Sequence, residues 1–332
     1  MMDAGLGTES AKVIGDILRN SNQFSSIKLG KNAMGDSGSV ILVRSILKNN
    51  NIVHLDLSSN DISPEGSRGI LSMLITHPSL VSLDLSSHEG LHRNRIGVRG
   101  SEPLKELLTM NPMIAFLNIQ GTSLSYEGVV TLSKGLAGNK VLISLNLSSN
   151  NLGPRCMEAL INAVSQTNLQ ELFLASNKLG NDGCDYLAEL ISGSLDSPCP
   201  LKKLDISKNE IVGKGGQKLF NALRTNSSIK EVILNHNQIQ LASVGFIGFI
   251  TDNAYLEVLS MAGCEVRSEG AILFNEGLAK NKSLKSLNLS SNLIDDEGAE
   301  YIANGLSRNI MLKILDLSSN KIMVNFIIES RW

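Results

Sequence analysis

Apolar residues recur along this chain in one phrase, Leu-x-x-Leu-x-Leu-x-x-Asn-x-Leu/Ile, which returns about every 28 residues. Clear copies cover residues 52–62 (IVHLDLSSNDI), 142–152 (LISLNLSSNNL), 284–294 (LKSLNLSSNLI) and 312–322 (LKILDLSSNKI). The alternation of apolar and polar positions in the first half of the phrase predicts a short strand with buried leucines. A fixed period of this length predicts a solenoid, because such repeats bury a continuous core only by stacking.

The second half of each repeat has a helical pattern. Apolar residues stand ten and fourteen positions after the Asn, and this spacing of four marks one face of a helix. The pairs are Leu42/Ile46, Ile70/Leu74, Leu104/Leu108, Leu132/Leu136, Leu160/Val164, Leu187/Ile191, Leu219/Leu223, Phe274/Leu278 and Ile302/Leu306. Acidic residues such as Glu65 and Glu127 precede the pairs, where a helix N-terminus favours negative charge. Each repeat is therefore predicted to run strand, turn, helix and loop.

The Asn of the phrase is predicted to be a structural residue. Its amide both donates and accepts, so it can satisfy backbone groups that are buried where the chain leaves each strand. Stacked repeats would then form a ladder of Asn32, Asn60, Asn94, Asn150, Asn177, Asn209, Asn237, Asn292 and Asn320. Thr122 and Cys264 hold the same position in two further repeats, which makes eleven, and we expect them to satisfy fewer groups. Two intervals between successive Asn positions are longer than the others, and they place insertions at 86–93 and around 194–200.

The phrase and its long helical half resemble the ribonuclease-inhibitor-like class of leucine-rich repeats over residues 24–322. The resemblance implies an α/β fold, a leucine-rich repeat solenoid (horseshoe) of about eleven repeats. Strands are spaced about 4.8 Å and packed helices about 10 Å apart, so we expect a parallel concave β-sheet with convex helices. We expect this solenoid at 24–322, an N-terminal half repeat or helix cap at 1–23, and an irregular apolar tail at 323–332.

Both ends depart from the repeat. Residues 9–20 fit the helix half of a repeat whose strand half is missing, since Ala4 stands 28 positions before Asn32. After Asn320 the chain is apolar and has no full helical pattern. Two interpretations stay open: short irregular segments cover the ends, or the chain is a fragment or docks through its ends.

Composition and charge narrow the classes of partner. The formal net charge is −2, which gives no overall basic field for nucleic acid or an anionic membrane. No apolar run reaches the roughly 20 residues of a membrane span, and the first residues lack a signal-peptide profile. The cysteines, Cys156, Cys184, Cys199 and Cys264, are scattered, so buried free thiols in a reducing compartment are favoured. We predict a cytoplasmic protein, with a cytoskeletal or ciliary location as a narrower alternative.

The chain has no evident catalytic motif, and we predict a protein that is not an enzyme and that binds no cofactor and no metal. Residues 213–218 (GKGGQK) have the composition of a phosphate-binding loop but lack its spacing. His88 and His92 flank Glu89 in the first insertion, but a metal site would need three or four rigidly held ligands. A polar loop is the favoured interpretation of this insertion.

The residues between the leucines are predicted to face outward on the concave surface. Large apolar side chains among mostly Ser and Asn resemble a protein-binding hot spot, and two neighbouring aspartates near a histidine form an acidic spot that nothing in the sequence would bury. The candidate protein-binding residues are Phe116, Phe173, Ile233, Val258, His54, Asp56 and Asp84. Scattered surface apolar groups and a solvated acidic patch are the alternative interpretation.

These observations predict a non-enzymatic protein-binding scaffold or regulator. The resemblance implies protein partners, since members of this class inhibit enzymes, sense ligands within receptors, regulate actin, or build cilia and flagella. One alternative is a GTPase-activating protein that resembles the Ran GTPase activators and acts on a small GTPase, although this chain ends FIIESRW and lacks their acidic tail. Another alternative is the ligand-sensing repeat region of a larger receptor.

Overall fold

A computed structural model describes residues 2–88, 90, 92–194, 198–240 and 244–323 of the chain. The chain divides into two compact units: unit 1 is Met1–Leu179 with Ser194–Asp205, and unit 2 is Gly180–Gly193 with Ile206–Trp332. Both units have the α/β leucine-rich repeat architecture that the sequence predicts, with parallel strands joined by helices. Residues 324–332, which make up nearly all of the predicted apolar tail, lie outside the described residues.

Unit 1 begins with a helix and then alternates strands and helices. Its helices are α1 Thr8–Asn20, α2 Gly35–Ile46, α3 Pro64–Leu74, α4 Ser101–Met110, α5 Ser125–Leu136 and α6 Met157–Ser165. Its strands are β1 Ser26–Lys28, β2 His54–Asp56, β3 Ser82–Asp84, β4 Phe116–Asn118, β5 Ser144–Asn146, β6 Glu171–Phe173 and β7 Lys203–Asp205. Consecutive strands pair in parallel, and each helix packs against the next.

Unit 2 has the same arrangement. Its helices are α7 Gly180–Ser192, α8 Gly213–Thr225, α9 Val244–Asp252, α10 Arg267–Lys280 and α11 Asp296–Leu306. Its strands are β8 Glu231–Ile233, β9 Val258–Ser260, β10 Ser286–Asn288 and β11 Ile314–Asp316, which pair in parallel in this order.

The insertions leave the strand register unchanged in unit 1. Ser82 pairs with Phe116 across the first insertion, and Glu171 pairs with Lys203 across the second. Register is strongly specified here because a slip of one residue would turn the buried leucines outward. The leucines of the phrase form the core, and Leu55 and Leu57 are almost fully buried.

The asparagines of the phrase connect neighbouring repeats through both ends of their amides. Asn94 is typical: its Oδ1 accepts from the Asn60 and Ile62 N–H groups at 2.9 and 3.1 Å, and its Nδ2 donates to the Leu57 carbonyl at 2.8 Å. The substitutes at this position do less, as expected from their chemistry. Thr122 donates to Ile119 O at 2.8 Å, and the Cys264 thiol lies 3.2 Å from Leu234 O.

A second set of polar side chains, which the sequence analysis missed, occupies the loops after seven of the helices. Asn111 donates to the Leu74 carbonyl at the end of the preceding helix, and its Oδ1 accepts from Met113 and Ile114 N–H. Helix C-termini leave carbonyls without intrahelical partners, and these amides satisfy some of them. Equivalent contacts are made by Asn49, Asn139, Asn226, Asn253, Asn281 and Asn309.

His77 takes the place of the amide in the loop after α3. Its Nε2 lies 3.2 Å from Ile46 O, and its Nδ1 accepts from Ser79 and Leu80 N–H at 3.4 and 3.2 Å. The ring is buried, and this burial lowers its pKa from the ordinary value of 6.5, with the hydrogen bond to Ile46 opposing the shift. The neutral ring with hydrogen on Nε2 satisfies all of these contacts, whereas a proton on Nδ1 would remove the acceptor.

We expect His77→Asn to make the protein less sensitive to acid. Because the pKa of His77 is lower when folded than when unfolded, its contribution to stability is present above about pH 6.5 and is lost as the pH falls through the folded pKa. Asn supplies the same donor and acceptor, as at Asn111, but does not titrate. Urea unfolding at pH 7 and pH 5 should show a smaller loss of unfolding free energy in the variant. Equal losses in the two proteins would contradict this account of His77.

Unit 2 contains an aromatic cluster in its helical layer. Phe220 of α8, Phe246 and Phe249 of α9, and Phe274 of α10 are fully buried, with ring centroids 5.0 to 6.0 Å apart. These separations are typical of favourable aromatic contacts. The cluster fills the core around α9, the one helix of the described repeats without the regular apolar pair.

Candidate protein-binding surface

The outward side chains of the strands form a continuous surface within each unit. In β1 to β10 the middle residue is buried, while the first and third residues are exposed or half-buried. We call the surface made by the first and third residues the strand face of each unit. All seven candidate binding residues lie on it, five in unit 1 and two in unit 2.

The third residue of most strands has a structural task that the sequence analysis did not foresee. Its side-chain oxygen accepts from the N–H two residues later, which stabilises the turn that leaves the strand. Asp56, for example, accepts from Ser58 N–H at 2.9 Å. The same bond is made by Asp84, Asn118, Asn146, Asn288 and Asp316. The row of Asp and Asn is thus partly explained without a ligand.

Four of the seven candidate residues lie close together across three adjacent strands of unit 1. In the first row His54 pairs with Ser82, and Ser82 pairs with Phe116. In the second row Asp56 pairs with Asp84, which pairs with Asn118. Three adjacent strands are about 10 Å across. We call this surface the β2–β4 patch; its members are His54, Asp56, Ser82, Asp84, Phe116 and Asn118.

The two aspartates of the patch differ in their surroundings. Asp84 is half-buried, which raises its pKa above the ordinary value, and the Asp56 carboxylate raises it further. Hydrogen bonds from Ser86 and Asn118 oppose the shift, the latter from Nδ2 to Oδ2 at 2.8 Å. The expectation that nothing would bury these carboxylates is therefore wrong for Asp84, which is half-buried beside Asn118.

Phe116 is the apolar side chain of the patch. It is 42% exposed at the start of β4, between Ser82 on one side and Ser144 on the other. Phe173 is separate from it, because β5 lies between their strands and Phe173 pairs with Asn146. The Phe173 ring is half-buried, and the Lys203 ammonium lies 5.6 Å from its centre, a cation–π contact within unit 1. The two rings are therefore not on adjacent strands, and one of them already has a cation as its neighbour.

Ile233 and Val258 lie on the strand face of unit 2. Ile233 is the third residue of β8 and Val258 the first residue of β9, so they are diagonal neighbours, and both are half-buried. Ile314, at the start of β11, is 63% exposed and was not among the sequence candidates. The signal in the sequence was an apolar residue at the first position of the strand, where Ser is the commonest residue.

The first insertion is tied to the turn of the preceding repeat. His92 Nδ1 lies 2.5 Å from Asp61 Oδ2, and the His88 N–H donates to Ser59 Oγ at 2.9 Å. Glu89 and Leu91 lie outside the described residues. Within the described part of the chain no three His, Cys, Asp or Glu side chains gather as metal ligands would.

The four cysteines, all within the described residues, are buried and are not joined by a disulfide. Burial raises the pKa of the Cys156 and Cys184 thiols to about 12 and that of Cys264 to about 11, so these thiols are poor nucleophiles at neutral pH. Among the helices described, none has the length and apolar character needed to cross a membrane.

Comparison with known proteins agrees with the repeat architecture. The family model "Leucine Rich repeat" matches residues 48–70, 138–160, 165–188, 197–220, 252–274, 280–303 and 308–322. The chain is 29% identical to the ribonuclease inhibitor of Mus musculus over 187 residues, which is 55% of this chain and 40% of that protein. With the ribonuclease inhibitor of Sus scrofa the identity is 30% over 147 residues, 44% of this chain and 32% of that protein.

Two further similarities cover the chain to different extents. Protein CARMIL of Dictyostelium discoideum is 28% identical over 169 residues, which is 48% of this chain and 16% of that protein. Among solved structures, a chain of the yeast Rad7 and Elc1 complex aligns with 95% of this chain and 73% of its own length, with a TM-score of 0.45 and 15% identity. The repeats, the strand order and the matched relatives together make this protein a leucine-rich repeat protein of the ribonuclease-inhibitor-like class. The chain spans less than half the length of the ribonuclease inhibitors it matches.

Proposed function

We propose that the protein is a non-enzymatic scaffold that binds a protein partner through the β2–β4 patch. The observation that carries the proposal is Phe116, a large aromatic ring exposed on the strand face of unit 1 among Ser, Asn and Asp side chains. An aromatic side chain supplies much contact area at small cost in conformational entropy, and polar surroundings are typical of binding hot spots. Similarity to proteins named ribonuclease inhibitor supports a binding role.

The chemistry of the patch favours a particular kind of partner surface. Phe116 would pack against an apolar side chain, while the Asp56 and Asp84 carboxylates in the adjacent row would attract a basic group. A carboxylate already held by Ser58 or Ser86 keeps lone pairs for a second donor. The partner is therefore proposed to present an apolar side chain beside Lys or Arg. Buried thiols fit a reducing compartment, and we propose that this interaction takes place in the cytoplasm.

Replacing Phe116 with Ser is expected to weaken partner binding at least tenfold while the fold is retained. The ring is exposed, so its loss should cost little stability, whereas loss of a buried interface anchor costs about 2 kcal/mol or more. The immobilised wild-type protein and variants would capture partners from the source organism's extract, and the affinity for the captured protein would then be measured. Tyr126→Ser is the matched control, since Tyr126 is a similarly exposed aromatic residue on α5.

Three outcomes separate the interpretations. A partner that binds the wild type and Tyr126→Ser alike but binds Phe116→Ser weakly supports the patch. A partner that binds all three proteins equally contradicts the use of this surface. A small GTPase retained only with a non-hydrolysable GTP analogue would instead support a GTPase activator.

A further inference from the structure

A pocket of about 740 Å³ lies in unit 2, where the loops after α9, α10 and α11 meet. Its lining residues are 251–254, 279–282, 308, 310 and 311. All of them lie within unit 2, and they belong to three successive repeats. None of these lining residues is a strand residue, so the pocket is a different surface from the strand face of this unit.

The loop asparagines hold the backbone of the pocket in place. Asn253 Nδ2 donates to the Leu223 carbonyl at 2.6 Å, and Asn281 Nδ2 donates to the Ile250 carbonyl at 2.8 Å. Each Oδ1 accepts from the N–H groups two and three residues later in the same loop. Because both ends of these buried amides already have partners, recognition of a ligand depends on the other lining side chains.

Two charges at the pocket are already neutralised. The Asp252 carboxylate accepts from Arg224 Nε at 2.7 Å through one oxygen and from Thr251 Oγ at 3.0 Å through the other. Lys280 forms an ion pair with Glu276, one turn earlier on α10. These two pairs leave no excess of either sign.

Two further basic side chains line the pocket, and no further acidic side chain does. Lys282 is exposed, and among the described residues it has no hydrogen bond and no ion pair. Arg308 Nη2 donates to Asn275 Oδ1 at 2.6 Å, which is a neutral acceptor. The helix dipole favours a cation at the end of α10, which accounts for Lys280 but not for Lys282, two residues beyond that helix. The pocket therefore has an excess of positive charge.

Apolar side chains form the rest of the lining that bears on binding. They are Ala254, Ala279, Ile310 and Met311. The two alanines leave space that an aliphatic side chain could occupy. The lining has no aromatic ring on which a base could stack, and two cations are few for a nucleic acid backbone. The helices also end here with their negative poles, which oppose a dianionic phosphate more than a single carboxylate. The chemistry therefore favours a peptide.

We propose that this pocket binds an acidic segment of a partner protein, in which Asp or Glu residues flank one aliphatic residue. The aliphatic side chain would pack against the apolar lining, and the carboxylates would pair with Lys282 and Arg308. Complementary charge would steer the segment to the pocket, and the apolar contact would retain it. The pocket lies in unit 2 and the β2–β4 patch in unit 1, so this proposal goes beyond the proposed function and fails or holds independently of it.

Three short peptides test the chemistry of the ligand on the full chain. The probe is acetyl-Asp-Glu-Leu-Glu-Asp-amide, and binding is followed by changes in the amide resonances of the protein. The probe should bind saturably, and the largest changes should fall on the loops at 253–254 and 281–282. The neutral peptide acetyl-Asn-Gln-Leu-Gln-Asn-amide and the peptide acetyl-Asp-Glu-Gly-Glu-Asp-amide should each bind at least about fivefold more weakly, because one lacks the charges and the other the aliphatic side chain.

Variants of the protein test the location of the site. Lys282→Glu should weaken binding of the acidic probe at least about fivefold, because it replaces an attraction with a repulsion. Lys214→Glu is the matched control, since Lys214 is also an exposed lysine of unit 2 but lies at the start of α8 and outside the pocket. It changes the net charge equally and should change the affinity less than about twofold. Ile310→Ser should remove most of the preference for the Leu peptide over the Gly peptide.

Four results would overturn the proposal. They are no saturable binding at millimolar probe, equal binding of the acidic and neutral peptides, equal affinity of Lys282→Glu and the wild type, and equal losses in Lys282→Glu and Lys214→Glu. A single-stranded oligonucleotide that binds through Lys282 when the acidic probe does not bind would also contradict a peptide ligand.

Discussion

Asn150→Leu should destabilise the protein by about 3–5 kcal/mol and lower the melting temperature by about 10 °C. The Asn150 Oδ1 accepts from Leu124 N–H at 3.0 Å, and the Thr122 hydroxyl lies 3.3 Å from it. Its Nδ2 donates to Ile119 O and Leu147 O at 2.9 and 3.0 Å. Leucine has a similar volume but can make none of these bonds, so buried donors and acceptors in two repeats would lose their partners.

The effect should begin locally. In a solenoid each repeat contacts its neighbours, so weakening one interface opens the stack there. Amide exchange at Leu124 should accelerate more than exchange in distant repeats. Asn162→Leu, at an exposed position of α6, is the matched control and should change the unfolding free energy by about 0.5 kcal/mol or less. If the two variants melt at the same temperature, the structural role assigned to the asparagine ladder is wrong.

Gly135→Ala should destabilise by about 2–3 kcal/mol, although alanine normally favours helices. A Cβ at Gly135 of α5 would lie 2.4 Å from Lys105 O and 2.8 Å from Lys105 Cα, both backbone atoms of α4. Rigid backbone cannot yield as a flexible side chain can, so the two helices would have to separate. Gly305 is in the same situation against Phe274 O of α10.

Gly69→Ala is expected to change the free energy of unfolding in the opposite direction. A Cβ there would meet only Val40 Cγ2, at 3.6 Å, an ordinary contact. Because Gly69 lies inside α3, alanine should stabilise by about 0.5–1 kcal/mol. Unfolding free energies from urea titration of both variants test the pair. If Gly135→Ala is as stable as Gly69→Ala, the close approach of α4 and α5 is contradicted.

The elements of the fold were predictable because their signals are local and repeated. Alternating leucines determine which strand residue is buried, and apolar pairs four apart determine which helix face is buried. The second set of polar side chains, the asparagines in the loops after the helices, also had a signal in the sequence. Asn49 and Asn111 each stand seventeen positions after an Asn of the phrase. It was missed because His77 and Thr167 interrupt the pattern in their repeats, and because polar residues in loops are common without a structural reason.

The candidate surface was less predictable because it depends on register between strands and not on sequence alone. Listing outward residues placed Phe116 and Phe173 in one group, whereas pairing places β5 between them. The half-burial of Asp84, which raises its pKa, likewise depends on neighbouring strands. The third strand residues also accept hydrogen bonds that stabilise the following turns. A polar residue that faces outward from a strand can therefore have a structural role and is not by itself a sign of a binding site.

Site-specific photo-crosslinking tests the central claim most directly, because it reports contact at a chosen residue inside the cell. A photoreactive phenylalanine analogue would replace Phe116 in one protein and Tyr126 in another. We expect one discrete protein adduct from position 116 and none from position 126. Adducts from position 126 alone, or no adduct from position 116 in cells that contain a partner bound by the wild-type protein, would contradict binding through the β2–β4 patch.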